Sequence, residues 1–231
     1  VNSLLDRSIA PGGYVITPPI ALELYESGAS YAAGHLTDLS AIDFDHLRQV
    51  FEQGRKHTEV AKLRGVLNQK LRQMVRLNRS RLNYVETFQT MIDEYNAGSK
   101  NIDALFAELL TFTQALNVEE QRTLAEQLSE EELALFDLLT RPSVTLTKDE
   151  ERQIKTLVRD LLTTLKREQL VLDWRKKQQA QAQVAVAIEE GLNALPAAYS
   201  TALFQEKCLA VYQHIYENYY GGSQSIYQRA A

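Results

Sequence analysis

Glycine and proline are scarce beyond residue 65, and this scarcity is the feature that most constrains the fold. After Gly65 the next glycine is Gly98, and the following one is Gly191. The stretches between them are rich in Leu, Glu, Gln, Arg and Ala, which have high helix propensities. The sequence therefore predicts an all-α protein built as a multi-helix bundle.

The first 35 residues differ, because they hold two turn-rich segments, "APGGYVITPP" and "ESGASYAAGH". We predict that residues 1–37 form a linker or irregular arm, with a short strand at "YVI", and that any β structure is confined to the first 40 residues. Residues 38–231 are predicted to form a helical domain, which could divide into two sub-bundles at about 38–141 and 142–231.

Start and stop signals divide this domain into helices. Two capping boxes begin with Ser129 and Thr147. In a capping box the hydroxyl of the first residue accepts a hydrogen bond from the backbone N–H three residues later, and the Glu at that position accepts one from the backbone N–H of the first residue. Pro142 ends one helix, Ser200 begins the last one, and Asp173 is a further candidate cap. The predicted helices are 43–53, 58–96, 102–116, 118–128, 130–140, 148–169, 173–194 and 201–220.

The longest predicted helix, 58–96, places its apolar residues on one face at 100° per residue. At 1.5 Å per residue it would be about 58 Å long, so we expect an elongated bundle built on it. The apolar face consists of Leu63, Leu67, Leu71, Met74, Leu82, Val85 and Ile92. The last helix has a similar stripe, and Cys208 lies on it, which predicts a buried structural thiol rather than a nucleophile.

The composition is that of an ordinary globular protein: of 231 residues, 45% are hydrophobic and 24% are charged, with a net charge of −5. The single cysteine excludes an intrachain disulfide and fits a reducing compartment, so we predict a cytoplasmic location. No run of 18 apolar residues occurs, so no membrane contact is expected. The chain begins with Val1, and we expect it to be a piece of a longer polypeptide.

Charge is segregated along the chain. Residues 48–86 hold ten Lys or Arg and three Glu, whereas residues 102–141 hold nine Asp or Glu and two Arg. Either the acidic helices lie beside the basic one and neutralise it, or the basic helix faces DNA or an acidic partner. The sequence leaves both interpretations open.

One group of basic residues is a candidate for contact with DNA phosphates or with a partner. On a helical wheel the three arginines of this group fall opposite the apolar face. Arg81 falls within the apolar face, where an arginine either extends its charge to solvent at the edge of that face or pairs with a carboxylate inside the bundle. We favour pairing and predict a partner in the segment 119–137. The candidates for contact are Lys70, Arg72, Arg76 and Arg79.

Aromatic and basic residues mark two further candidate contact sites. Trp174 is the only tryptophan, and we expect it to seal a helix joint while the cations that follow it face solvent or DNA. The last helix carries tyrosines at i, i+4 and i+8, which indicate either the edge of a core or a protein interface. The cations are Arg175, Lys176 and Lys177, and the tyrosines are Tyr212, Tyr216 and Tyr220.

Sequence signatures of catalysis are absent. No GxxxxGK[ST] phosphate loop and no GxGxxG motif occurs, and the four histidines show no metal-binding spacing. We therefore predict no catalytic, cofactor-binding or metal-binding residues in this chain.

Several long segments resemble, in order, the C-terminal helical region of the R subunit (HsdR) of type I restriction–modification enzymes. The resemblance covers about residues 38–219. The segments are "DLSAIDFDHLRQVFEQG", "LRGVLNQKLRQMVRLNRSRLNYVETFQTMIDEYNAGS", "LSEEELALFDLLTRP", "LVLDWRKKQQAQAQVAVAIEE" and "EKCLAVYQHIYENY".

The resemblance implies an enzyme that translocates double-stranded DNA with ATP and Mg²⁺, cuts it, and is built on a core of methyltransferase (M) and specificity (S) subunits. The nuclease and motor motifs of that family are absent from this chain, so the chain itself is expected to be inactive. We predict an assembly module that docks the motor onto the M–S core. The alternative is a helical module that guides the translocating duplex along its basic face.

Overall fold

The computed structural model describes residues 44–52, 54, 56–142, 144–222 and 224–229. The arm predicted for residues 1–37, with its strand at "YVI", lies outside the described residues. Within the described part, no helix is both long enough and apolar enough to cross a membrane.

The described residues form α-helices and one small antiparallel hairpin, which confirms the predicted all-α class. The helices are α1 (Phe44–Glu52), α2 (Lys56–Leu77), α3 (Leu82–Asn96), α4 (Ile102–Glu126), α5 (Glu130–Thr140), α6 (Lys148–Thr164), α7 (Gln178–Leu192) and α8 (Thr201–Asn218). The hairpin pairs β1 (Tyr219–Gly221) with β2 (Gln224–Ser225), Tyr219 opposite Ser225 and Gly221 opposite Gln224.

Both predicted capping boxes form, and they explain where α5 and α6 begin. The Ser129 hydroxyl accepts from the backbone N–H of Glu132, whose carboxylate accepts from the backbone N–H of Ser129. Thr147 and Glu150 make the same reciprocal pair at the start of α6. The backbone N–H of Thr147 donates to the Glu150 carboxylate and lowers its pKa. Ser200 caps α8, as the sequence predicts.

The described residues divide into two compact units, and the first consists of the described residues up to 73 together with 81–120. Its core is aromatic and aliphatic. Phe51 stacks on Phe106 with 3.9 Å between ring centroids, and Phe88 stacks on Phe112 at 5.8 Å. The aliphatic core residues include Leu63, Leu67, Leu71, Ile92, Leu105, Leu109 and Leu116.

The second unit consists of residues 74–80 and the described residues from 121 onward. In it α5 packs against α6 and α8, and α7 packs against the same two helices. Trp174 is fully buried in this core, where its Nε1–H donates to the carbonyl oxygen of Tyr219 at 3.1 Å. The division therefore differs from the one predicted near residue 141, because the apolar residues of α5 share one core with those of α6 to α8.

The prediction of one continuous helix over 58–96 is wrong, because the chain interrupts it between α2 and α3. The side-chain oxygen of Asn78 accepts from the backbone N–H of Ser80 at 3.0 Å, and such a local bond competes with helical hydrogen bonding. A 3₁₀ turn follows at Arg79–Arg81, and its tighter winding changes the phase of later residues. Leu82, predicted on the apolar face, is consequently 49% exposed.

Three other helix boundaries differ from the prediction. Residues 102–126 form one helix instead of two, since neither glycine nor proline interrupts them. A π-helical turn, Leu165–Gln169, follows α6. The next helix begins at Gln178 and not at residue 173, because Asp173 has a φ of 57° and its side chain caps no N–H.

The last helix ends at Asn218 and not at residue 220, and a hairpin follows that lies outside the region where β structure is predicted. Gly221 explains part of this turn, since it has a φ of 92°. A Cβ atom there would lie 2.3 Å from the carbonyl oxygen of Val171, so only glycine permits this close approach.

His214 is buried in α8 and joins a series of hydrogen bonds that ends on the last residue of α2. Its Nδ1 lies 3.2 Å from Nδ2 of Asn218, and its Nε2 lies 2.9 Å from the hydroxyl of Tyr227. That hydroxyl donates to the carbonyl oxygen of Leu77 at 2.8 Å. A neutral imidazole with its proton on Nε2 satisfies every group. Desolvation, with a contribution from the charge of Arg79, lowers the pKa of His214 to about 4.

We expect the protein to lose about 3 kcal/mol of stability between pH 7 and pH 4, because each unit of pKa difference is worth about 1.4 kcal/mol. The unfolded chain protonates His214 near its ordinary pKa of 6.5, whereas the folded chain does so at about 4. The unfolded state therefore binds more protons in this window, and stability falls as the pH falls. Denaturant unfolding across the window measures the effect. A His214→Gln variant should show a flatter profile, and equal slopes would assign the effect to another group.

Candidate interaction surface

In the first unit, the acidic segment of the chain neutralises part of the basic segment. Each of three ion pairs joins a cation of residues 48–86 to a carboxylate on α4. These pairs are Lys56 with Asp103, Lys70 with Glu120, and Arg81 with Glu119. Within this unit, the arrangement favours the interpretation in which acidic helices lie beside the basic one.

Lys70 does not lie on an exposed face, and its assignment as a contact residue is wrong. The residue is only 3% exposed, and its ammonium group pairs with Glu120 on α4. Leu67, one turn earlier on α2, is a buried core residue, so Lys70 lies close to the side of the helix that faces the core. An ammonium group held in this way is not available to a DNA phosphate.

The three arginines of the basic group differ from Lys70. Arg72 and Arg76 are exposed, and neither forms an ion pair with a residue that the structure describes. Arg79 is also exposed, but its Nη1 lies 2.9 Å from a carboxylate oxygen of Glu217. An exposed pair of this kind contributes at most about 1 kcal/mol. Each of these arginines therefore stays an individual candidate for contact with a partner.

Arg81 lies inside the first unit and forms an ion pair. Its side chain and that of Glu119 are each 3% exposed, and Nε of Arg81 donates to Oε1 of Glu119 at 3.0 Å. The hydroxyl of Tyr84 lies 3.4 Å from the other carboxylate oxygen. Glu119 belongs to the segment 119–137, in which the sequence places the partner. Arg81 therefore has the position of a structural residue.

The candidate tyrosines form a partly exposed aromatic row in the second unit. Tyr212 and Tyr216 stack on α8 with 6.2 Å between ring centroids, and Tyr216 meets Trp174 edge-on at 5.8 Å. Tyr216 and Tyr220 are 38% and 39% exposed, whereas Tyr212 packs against the core. Burial, helped by the neighbouring Tyr216, raises the pKa of Tyr212. Because Tyr220 lies on β1, only the first two residues form a helical ladder.

Arg175 connects this row with the cations that follow Trp174. Its guanidinium lies over the rings of Tyr216 and Tyr220, at 5.5 Å and 4.7 Å from their centroids. Its Nη1 donates to the carbonyl oxygen of Tyr216 at 2.7 Å, in the last turn of α8, where backbone acceptors lack helical partners. No other residue in the described part of the chain accepts a hydrogen bond from this guanidinium. Its remaining N–H groups are therefore available to a ligand.

Two exposed aliphatic residues lie beside the hairpin that carries Tyr220, Val171 at 49% and Leu172 at 71% exposure. The hairpin holds them there, because the backbone N–H of Gly222 donates to the carbonyl oxygen of Leu170 at 3.0 Å. Leu172 Cδ1 lies 3.4 Å from where a Cβ of Gly222 would stand. We call this region the tyrosine–arginine surface, and it consists of Val171, Leu172, Arg175, Tyr212, Tyr216 and Tyr220.

Two lysines lie beside the tyrosine–arginine surface. Lys176 pairs with Asp173 at 2.9 Å, with both side chains at least half exposed, and this hydrogen bond and charge lower the pKa of Asp173. Lys177 is exposed and forms no ion pair with any described residue. This edge therefore carries three cations, Arg175 included, and one carboxylate, so its net charge is positive.

Sequence reasoning misses three members or neighbours of this surface. Val171 and Leu172 lie just before Trp174, the residue that the sequence places at a helix joint, and they are not among the predicted contact residues. Leu209 is 67% exposed and lies one turn before Tyr212 on the same face of α8. Its spacing of three and seven residues from Tyr212 and Tyr216 is the signal that could have found it.

Other features of the described residues offer less chemistry. A groove of about 650 Å³ between α6 and α7 is lined by residues such as Asp160, Leu161 and Gly191, and it does not include the tyrosine–arginine surface. Burial raises the pKa of the Cys208 thiol, which packs against the core. Within the described ranges, no group of three or more His, Cys, Asp or Glu side chains is placed to hold a metal ion.

One family model matches residues 29–218 of the chain, and its description is type I restriction enzyme HindI endonuclease subunit-like, C-terminal. No curated protein and no solved structure matches the chain significantly. The family match spans α1 to α8 and ends before the hairpin.

Proposed function

Because the chain belongs to the family of type I restriction enzyme HindI endonuclease subunit-like C-terminal domains, we propose that it docks such an endonuclease subunit onto the methyltransferase–specificity (M–S) core. The tyrosine–arginine surface is the observation that carries this proposal. It exposes aromatic and aliphatic side chains from α8, from β1 and from the segment before Trp174, and tyrosine and arginine are enriched at the energetic centres of protein interfaces.

The alternative, a module that guides DNA, has less support from the basic residues. Affinity for duplex DNA comes mainly from cations that neutralise phosphates. Lys70 is buried against Glu120, and Arg79 is paired with Glu217. The exposed side chain of Leu172 offers nothing to a phosphate but suits the apolar centre of a protein interface. Protein docking is therefore the function that we favour.

In this proposal the domain works in the cytoplasm, as part of a complex that translocates double-stranded DNA with ATP and Mg²⁺ and then cleaves it. Those reactions belong to other parts of the parent subunit. The contribution of this chain is attachment, so we expect it neither to hydrolyse ATP nor to cut DNA when it is isolated.

The replacement of Tyr216 and Tyr220 together by alanine should weaken docking to the M–S core by about tenfold or more, the effect of losing one interface hot spot. Titration of the reconstituted core with the chain, at low and at high salt, measures this effect. Docking that relies on aromatic contacts should survive the higher salt, whereas phosphate contacts weaken steeply with salt.

The matched control is Leu124→Ala, which removes an apolar side chain that is 80% exposed on α4, outside the surface. Tyr212→Ala is assayed separately, together with its unfolding free energy, because Tyr212 also packs against the core. Unchanged docking after replacement of all three tyrosines would exclude this surface as the docking site.

A further inference from the structure

Arg175 keeps a binding capacity that its contacts within the chain do not use. One N–H is bound to the carbonyl oxygen of Tyr216, and the guanidinium plane rests on the rings of Tyr216 and Tyr220. These contacts fix the position of the group and leave the rest of its donor fork unoccupied by any described residue. Such a fork matches the two oxygens of a carboxylate or a phosphate.

The charges around Arg175 favour an anionic ligand. Lys176 and Lys177 follow it in the chain, and both are exposed. The nearest carboxylate in sequence, Asp173, is paired with Lys176. Glu217, which is adjacent to Tyr216 in the chain, is paired with Arg79. The cations at this edge are therefore only partly compensated.

The apolar neighbours decide between a carboxylate and a phosphate. Val171 and Leu172 are exposed next to the same hairpin that carries Tyr220. Aliphatic side chains add nothing to binding of a nucleic-acid backbone, whereas a protein segment can bury them. We therefore propose, on the basis of the docking function above, that the tyrosine–arginine surface binds an acidic and apolar segment of a protein partner, with Arg175 holding a partner carboxylate.

A purely structural role for Arg175 makes a different prediction. An arginine that only caps the last turn of α8 could be replaced by lysine, since an ammonium group also donates to a carbonyl oxygen. Lysine keeps the charge but has no planar fork to bind two carboxylate oxygens. Arg175→Lys keeps the charge and can still cap the helix, so it tests for recognition of a carboxylate by the fork. Arg175→Gln also removes the charge.

The experiment measures docking of the whole chain to the reconstituted M–S core. Both Arg175 variants should bind about 10- to 100-fold more weakly, the range expected when a charge-assisted hydrogen bond is lost. Lys148→Gln removes the same charge from the exposed start of α6 and should leave docking unchanged. Carbodiimide, which joins an amine directly to a carboxylate, should link Lys176 or Lys177 to an Asp or Glu of the core.

Other results would overturn the inference. If Arg175→Lys, or both variants, bind the core as tightly as the wild-type chain, the docking function stands. The guanidinium fork of Arg175 would then be excluded as the group that recognises the partner. Binding of a 30-base-pair DNA duplex that depends on Arg175 and competes with the core would identify a phosphate ligand instead. If the wild-type chain does not dock at all, the proposed function fails, and the inference fails with it.

Discussion

Replacement of Arg81 by alanine should lower the free energy of unfolding by about 3–5 kcal/mol, because it leaves the carboxylate of Glu119 buried without its cation. Both side chains are 3% exposed, so the carboxylate would stay shielded from bulk solvent. Arg76→Ala should change the same quantity by less than about 1 kcal/mol, since Arg76 is exposed and forms no ion pair with a described residue.

Denaturant titration of the two variants tests this difference. A double variant, Arg81→Met with Glu119→Leu, should recover much of the lost stability, because apolar residues of similar size avoid the unpaired charge. Arg76→Ala should instead have the larger effect on binding of DNA or a partner. Equal unfolding midpoints for the two alanine variants would show that Arg81 is not a structural arginine.

Replacement of Asp137 by alanine should also cost about 3–5 kcal/mol, since it removes the acceptor at the centre of a buried polar network. The Asp137 side chain is fully buried. Arg122 donates to both of its oxygens at 2.7 Å and 3.1 Å, and Asn78 and Ser80 donate to Oδ2 at 2.8 Å and 3.1 Å. Nε of Arg141 lies 3.5 Å from Oδ1.

The pH dependence identifies the carboxylate as the origin of the effect. Desolvation acts to raise the pKa of Asp137, but the hydrogen bond and charge of Arg122, with help from Arg141 and Asn78, hold it below its ordinary value of 3.8. The stabilisation is therefore present above about pH 3.8 and is lost as the pH falls below it. Asp160→Ala, which removes an exposed carboxylate on α6, is the matched control. If both variants lose the same stability, the network does not stabilise the fold.

The helices themselves follow from local signals in the sequence. The capping boxes at Ser129 and Thr147 need only residues three positions apart, so they are visible without any tertiary structure. The interruption after α2 is different, because Asn78 bonds both to Ser80 and to Asp137, which lies 59 residues further along the chain. No helical periodicity within 58–96 carries that information.

The candidate surface shows the same limit. The tyrosines and the cations after Trp174 could be chosen from the sequence as two separate sets, but Arg175 bonds to Tyr216 across 41 residues, and only the fold brings them together. Lys70 is the opposite case. It is close in sequence to the exposed arginines, yet at 100° per residue it falls only about 60° from Leu67, at the edge of the apolar face. There α4 covers it and supplies Glu120.

The segment that follows α6 is fastened to the C-terminal residues at three points. The backbone N–H of Gly222 donates to Leu170, the indole of Trp174 donates to Tyr219, and Arg175 donates to Tyr216. Because these bonds exist without a partner, the backbone beneath the surface and the side chain of Arg175 are already ordered before any partner binds. A partner would meet a preorganised surface, and variants of it should differ mainly in how fast the complex dissociates.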